Sequence, residues 1–324
     1  MHRPRLHPPV RGSSRLGAGL LLLLMLGGCG KSTPPELPGA ASEPAGAVRQ
    51  LVAHLRDNDL AAFARDALPP EVHARLAEAW REDRSRWPLS ELPLDSQVEP
   101  ILAALARPGS ERTLRREFDR QFAGQDVALR DAARSLALFG GQYLKQQRDY
   151  SPEERAHYAQ IVAALGTWAA QAPLGDRKRA YAAIDRLAAV ARATGLDGEE
   201  GLRQAGMEES LRRLGPFLAA LKAVVADYGL DLDGSLADLR TGLVEEKGDR
   251  ATVRIHYPLG TTEIDTVVTL ARRGGRWYLS DYLEHADTLL AAAAADRDND
   301  ADALPALPEP PPGEPQASGP APAR

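Results

Sequence analysis

Residues 251–285, ATVRIHYPLGTTEIDTVVTLARRGGRWYLSDYLEH, carry the pattern that decides the fold. Apolar and polar side chains alternate along this stretch with a period of two, which is typical of strands that bury one face. The apolar members of the alternation are Val253, Ile255, Tyr257, Ile264, Val268, Leu270, Trp277 and Leu279. We therefore predict an antiparallel sheet of three or four strands over residues 240–283.

Two turns divide the predicted sheet into hairpins. Gly274-Gly275 is a two-residue hairpin signal. A second turn over residues 258–261 would pair Tyr257 with Thr262, and residues 241–246 would supply a first strand. The apolar face is predicted to pack on helices, and its members are Ile255, Ile264, Leu270, Trp277 and Leu279.

The second turn also predicts a register, because its length sets which residues lie opposite one another. Ile255 would then face Ile264 on the apolar side. On the polar side Arg254 would meet Asp265 and His256 would meet Glu263, so that opposite charges fall across the two strands.

Residues 46–239 are predicted to form a large helical body. The clearest helix start is Ser151-Pro152-Glu153-Glu154, where Ser151 is the cap and Glu154 completes a capping box. Asp176 is a second predicted cap, and Gly195 stands where a left-handed terminator belongs. Prolines within residues 88–100 predict an irregular connection there. The fold class is therefore α+β, with a helical body followed by a C-terminal antiparallel sheet.

The first 28 residues have the features of a secretory signal, with four arginines and no acid before an apolar run from Leu16 to Leu26. The ending Leu26-Gly27-Gly28-Cys29 resembles the lipobox of bacterial lipoproteins. That resemblance implies cleavage after Gly28, lipidation of Cys29 and a location in the cell envelope. In enterobacterial lipoproteins an Asp after the cysteine favours the inner membrane. The Gly30 found here therefore implies the outer membrane, facing the periplasm.

Composition predicts unstructured segments on both sides of the folded part. Residues 29–45 are rich in Pro, Ala, Gly and Ser and are predicted to be a flexible tether. Residues 296–324 are rich in Pro, Ala and Asp and are predicted to be a disordered tail. The sheet and a last helix would occupy residues 240–295.

Two stretches resemble nuclear-transport-factor-two-like domains of bacterial lipoproteins. They are residues 51–68, LVAHLRDNDLAAFARDAL, and residues 251–285, which end in ARRGGRWYLSDYLEH. The resemblance implies helices wrapped around a curved sheet in a cone with a pocket. It implies no catalytic residue, because that superfamily has no common one.

The motifs of familiar chemistries are missing from the sequence. It has no Gly-x-Ser-x-Gly, no His-Glu-x-x-His and one cysteine, and its net charge of −5 gives no reason to expect a nucleic-acid surface. Residues from Asp296 onward imitate the start of a calcium-binding loop. The match fails, because Ala301 stands where glycine is required and Leu307 stands where glutamate is required. We therefore predict no metal and no cofactor.

Three residues of the predicted sheet are candidate ligand-binding residues. Arg254 and His256 belong to its polar face, together with Glu263, Asp265 and Tyr278; a solvated face is the alternative. Asp281 is predicted to continue the last strand on the apolar side, either at the sheet edge or inside a pocket.

Three functions fit this pattern. The preferred one is a non-enzymatic, lipid-anchored module that binds an envelope protein, a glycan or a small ligand and serves envelope assembly or maintenance. The second is a pocket enzyme that uses Asp281 or His256 as its acid or base. The third is a structural spacer.

Overall fold

The alternating stretch folds into a four-stranded antiparallel sheet in the order β1-β2-β3-β4. A computed structural model describes residues 43–92, 95–147 and 150–303. The strands are β1 (Arg240–Lys247), β2 (Arg250–Leu259), β3 (Thr262–Arg273) and β4 (Arg276–Leu279). The predicted turn at Gly274-Gly275 is confirmed, since Arg273 pairs with Arg276. Both glycines have positive φ, as this type of tight turn requires.

The predicted register of β2 and β3 is wrong by two residues. Leu259 pairs with Thr262, because Gly260, at φ 61°, allows a two-residue turn in place of the predicted four-residue one. Ile255 therefore lies opposite Thr266, and Ile264 lies opposite Tyr257. A shift of two residues leaves every side chain on its predicted face, since the side-chain period of a strand is two.

The predicted end of the sheet is also wrong. β4 ends at Leu279, and Ser280 begins the last helix, so Asp281 lies in the first helical turn and not on a strand. The buried positions after Ser280 are spaced three and four apart, which is a helical period. They are Leu283, Ala286, Leu290 and Ala293.

Outside the sheet, the regular secondary structure of the described residues is helical. Its helices are α1 (Pro44–Arg56), α2 (Leu60–Ala67), α3 (Pro70–Arg81), a 3-10 turn (Leu89–Glu91), α4 (Asp95–Ala106), α5 (Ser110–Gln121), α6 (Asp126–Gln146), α7 (Pro152–Ala169), α8 (Arg177–Thr194), α9 (Gly198–Asp227), α10 (Leu232–Ala237) and α11 (Ser280–Ala303). The predicted fold class, a helical body followed by a C-terminal antiparallel sheet, is confirmed.

Several predicted boundaries move. α1 begins at Pro44, inside the predicted tether, and α4 begins at Asp95 and carries Pro100 in its interior, where an irregular connection was expected. α9 is bent at Gly206, which has φ 75° and ψ 171°. α11 continues to Ala303, so the first eight residues of the predicted tail, which include Asp296 and Ala301 of the imitation calcium loop, are helical. The signal segment, Cys29 and residues 304–324 lie outside the described residues.

The predicted helix caps are confirmed. Ser151 Oγ accepts from the backbone N–H of Glu154 at 3.1 Å, and the Glu154 carboxylate accepts from the N–H of Ser151 at 2.7 Å. Asp176 caps α8 through the N–H of Arg179 at 2.9 Å, and Gly195 ends that helix at φ 60°. These caps satisfy backbone groups that a helix end leaves unpaired.

The apolar face of the sheet packs on helices, as predicted. α1 covers its central part, where Trp277 is 1% exposed. α7 covers the end near the β2–β3 turn, where Ile264 is fully buried. The opposite face is not solvated along its whole width, because Tyr278 of β4 is buried in the main helical core. The expectation that Tyr278 lines a polar face is therefore wrong.

A buried polar cluster joins α1 to α2. The Asp66 side chain is 3% exposed, and one of its carboxylate oxygens lies 2.8 Å from His54 Nε2 and 2.7 Å from Gln50 Nε2. Burial alone would raise the pKa of Asp66. The hydrogen bond from His54 and the charge of Arg65 outweigh burial, so the pKa lies below its ordinary value of 3.8.

Candidate functional site

Arg254 and His256 lie on the exposed part of the polar face, where the predicted ion pairs form. Asp265 Oδ1 lies 3.7 Å from Arg254 Nε, and Glu263 Oε2 lies 2.7 Å from His256 Nε2. The two-residue shift makes these pairs diagonal neighbours and not direct ones. The Arg254, Asp265 and Glu263 side chains are each more than half exposed, so solvent screens both pairs and each contributes under about 1 kcal/mol.

Asp281 belongs to a different site, where α11, α7 and the 3-10 turn meet. His285 Nδ1 lies 2.6 Å from Glu91 Oε1. Burial raises the pKa of Glu91, and the charge of nearby Asp281 raises it further, although His285 opposes the shift. Burial also raises the pKa of Asp281, and the charges of Glu154 and Glu284 add to it. The sequence pointed to Asp281 but missed Glu91 and His285, since their partners are distant along the chain.

Two sets of hydrogen bonds that sequence reasoning missed join α7 to strands β2 and β3. A hydrogen bond of 2.9 Å joins His157 Nε2 to the Tyr257 hydroxyl, and burial lowers the pKa of His157 and raises that of Tyr257 to about 12. The Gln160 amide donates to the carbonyl of Asp265 at 3.0 Å and accepts from its N–H at 3.1 Å. Gln160 thus pairs with the β3 backbone as a neighbouring strand would. It does so at a part of β3 that β4 does not reach, since β4 pairs only with residues 270–273.

A groove of about 720 Å³ opens beside the β2–β3 turn, and we call it the α7–α10 groove. It is built by the end of α7, the start of α8, the end of α9, α10 and the turn residues Pro258, Gly260 and Thr261. Trp168 and Tyr228 contribute its aromatic rings, and the Trp168 indole N–H donates to the carbonyl of Tyr228 at 2.9 Å. This bond fixes the indole at the groove wall.

The charges of the α7–α10 groove are mostly acidic. Asp227 forms an ion pair with Arg186, with Oδ2 and Nη1 3.0 Å apart. Asp231 caps α10, because its Oδ1 accepts from the backbone N–H of Gly234 at 2.9 Å. Arg179 lines the groove and donates to the carbonyl of Asp227. Asp238 is exposed and forms no ion pair among the described residues, so it is the carboxylate best placed to meet a ligand.

A second groove, of about 640 Å³, lies between α11 and the strands. Thr252 and Thr269 of the polar face line it, together with Ser280 and Glu284 of α11. The candidates Arg254, His256 and Asp281 do not line it. The structure therefore does not bring the three candidate residues together in either of these two grooves.

Among the residues that the structure describes, no group of three or more histidine, cysteine, aspartate or glutamate side chains could hold a metal ion. None of the helices in the described ranges combines the length and the apolar character needed to cross a membrane.

Comparisons with known proteins identify no relative. No protein-family model matches the chain, and neither does any curated protein or solved structure.

Proposed function

We propose that this chain is a lipid-anchored, non-enzymatic binding module of the bacterial cell envelope that faces the periplasm, and that it is anchored in the outer membrane. The lipobox-like ending at Cys29 supports the anchor, since several acyl chains hold a protein stably on a membrane. The α7–α10 groove is the observation that carries the binding function.

The lining of this groove suits a glycan. Sugar hydroxyls donate hydrogen bonds to carboxylates, and Asp238 offers one at the groove. The C–H faces of sugar rings pack on aromatic side chains, and Trp168 and Tyr228 offer such rings. Ser235, Thr167 and Thr261 add hydroxyl groups. The excess of carboxylates disfavours anionic ligands.

Replacing Cys29 by serine tests the anchor. The variant should lose membrane association and remain unprocessed or soluble, because serine cannot accept the thioether-linked lipid. Cell fractionation and the electrophoretic mobility of the chain measure both effects. A processed Cys29→Ser chain of unchanged mobility that still sediments with membranes would refute the anchor.

Binding to purified cell-wall sacculi tests the groove. Asp238→Ala and Tyr228→Ala should each weaken co-sedimentation about tenfold, which corresponds to about 1.4 kcal/mol. Asp57→Ala is the matched control, because Asp57 is a 63% exposed aspartate at the end of α1 and does not line the groove. Equal binding by all three variants would contradict a glycan site at the groove.

The same assay separates the two alternatives. The raised pKa values of Asp281 and Glu91, beside His285, favour an acid–base enzyme. Release of soluble fragments from the sacculi by the wild type, lost in Asp281→Asn, would support that enzyme. Absence of both binding and release would favour a structural spacer.

A further inference from the structure

The large apolar side chains of α6 point into solvent. Leu136 is 71% exposed, Phe139 is 69% exposed and Tyr143 is 65% exposed. Their spacing of three and four residues places them in one stripe along the helix. We call these three residues the α6 stripe. Contiguous exposed apolar surface of this kind marks interaction sites in soluble proteins.

The packing of α6 on α7 explains why the stripe is exposed. The seam between the two helices is built from small residues, with Gly166 so close to Ala137 that an added Cβ would lie 2.2 Å from the Ala137 Cβ. Gly140 faces Val162 less tightly, since a Cβ there would lie 3.1 Å from Val162 Cγ1. The helix therefore turns its smallest side chains inward and its largest ones outward.

An apolar groove of about 460 Å³ adjoins the stripe. The N-terminal half of α6 forms one wall through Leu129 and Ala132, and α7 forms the other through Leu165 and Trp168. Leu136 stands at the midpoint of α6 and lines the groove as well. The same face thus carries a groove on one side of Leu136 and a ridge, Phe139 and Tyr143, on the other.

We propose that the α6 stripe binds a second copy of this chain, with the two α6 helices antiparallel about a two-fold axis at Leu136. This arrangement places Phe139 and Tyr143 of each copy opposite Ala132 and Leu129 of the other. Each ridge then enters the groove of its partner, which is the self-complementarity that a two-fold interface needs. Phe139 then meets the small side chain of Ala132, and Tyr143 meets Leu129 at the groove wall.

The uncharged flanks of the α6 stripe and the apolar area that it exposes are consistent with a second copy of the chain as its partner. The stripe is flanked, on the side away from α7, by the uncharged residues Ser135, Gln142 and Gln146, so two copies meet without like-charge repulsion. Phe139 and Tyr143 would each bury on the order of 150 Å². The two rings together therefore contribute roughly 300 Å² of the roughly 800 Å² per copy that a standard interface buries, and Leu136 and the groove walls add to that area.

Cysteine crosslinking of the purified full chain tests the axis. Leu136→Cys should form a disulfide-linked homodimer under mild oxidation, because the axis brings its two copies together. Leu138→Cys is the matched control, since Leu138 lies on the same helix, is 63% exposed and points away from the stripe. The wild-type chain, whose own cysteine is Cys29, gives the background. No dimer from Leu136→Cys, or equal amounts from both variants, would overturn the proposal.

Sedimentation velocity tests the interface without an added thiol. Phe139→Glu should raise the dimer dissociation constant about 100-fold, because it buries a charge in each half of the interface. Leu138→Glu should leave the dissociation constant unchanged. Circular dichroism should show the same helix content in both variants. A monomeric wild type, or a Phe139→Glu chain that is as dimeric as the wild type, would overturn the proposal. Neither experiment depends on the anchor or on glycan binding.

Discussion

Replacing Trp277 by alanine is expected to lower the free energy of unfolding by about 3–5 kcal/mol, as is typical for a large aromatic side chain removed from a core. Trp277 is 1% exposed and packs between the apolar face of the sheet and α1, where Val48 lies in the same cluster. The truncation leaves a cavity that these rigid neighbours cannot fill. Urea unfolding followed by circular dichroism measures the change.

Arg254→Ala is the control for the orientation of the sheet. Arg254 is 62% exposed on the opposite face, so its loss should cost under about 1 kcal/mol. If Arg254→Ala proved the more damaging change and Trp277→Ala were nearly neutral, the sheet would face the other way.

Replacing Asp66 by asparagine is expected to cost about 2–3 kcal/mol, because hydrogen bonds to a charged group contribute about 1.5–3 kcal/mol and this carboxylate is almost fully buried. The Asp66 carboxylate is 3% exposed and accepts from both Gln50 and His54, whereas His54 keeps 21% exposure. Asparagine has similar volume but lacks the charge and one acceptor position. Asp57→Asn changes an exposed aspartate of the same helical region, and it should cost under about 1 kcal/mol.

The contribution of Asp66 to the free energy of unfolding should also depend on pH. Because its folded-state pKa lies below the ordinary 3.8, its stabilisation is complete well above 3.8. It is lost as the pH falls through the folded-state pKa. The difference between wild type and Asp66→Asn should therefore shrink in acid. A difference that grows as the pH falls below 3.8 would contradict this assignment.

Local patterns predicted much of the fold because they report burial and turn chemistry directly. The alternation of Ile255 with Arg254 fixed the faces of β2, and Gly274-Gly275 fixed the last hairpin. The β2–β3 register failed because opposite charges on one face form ion pairs in either of two registers, directly or diagonally. Asp281 was misplaced because the period of two was carried past Leu279, whereas from Ser280 the buried residues follow a helical period.

The sequence by itself determined the fold class, the helix caps at Ser151 and Asp176, and the buried face of the sheet, because each depends on residues that are neighbours along the chain. Only the tertiary structure decided which distant residues meet. It buries Lys222 so that its ammonium donates to the carbonyls of Leu55 and Arg56 at 3.0 and 2.9 Å. It also opens the α7–α10 groove and leaves the α6 stripe uncovered. The pattern of one helix states which face is apolar, but whether another element covers that face depends on the packing of the whole chain.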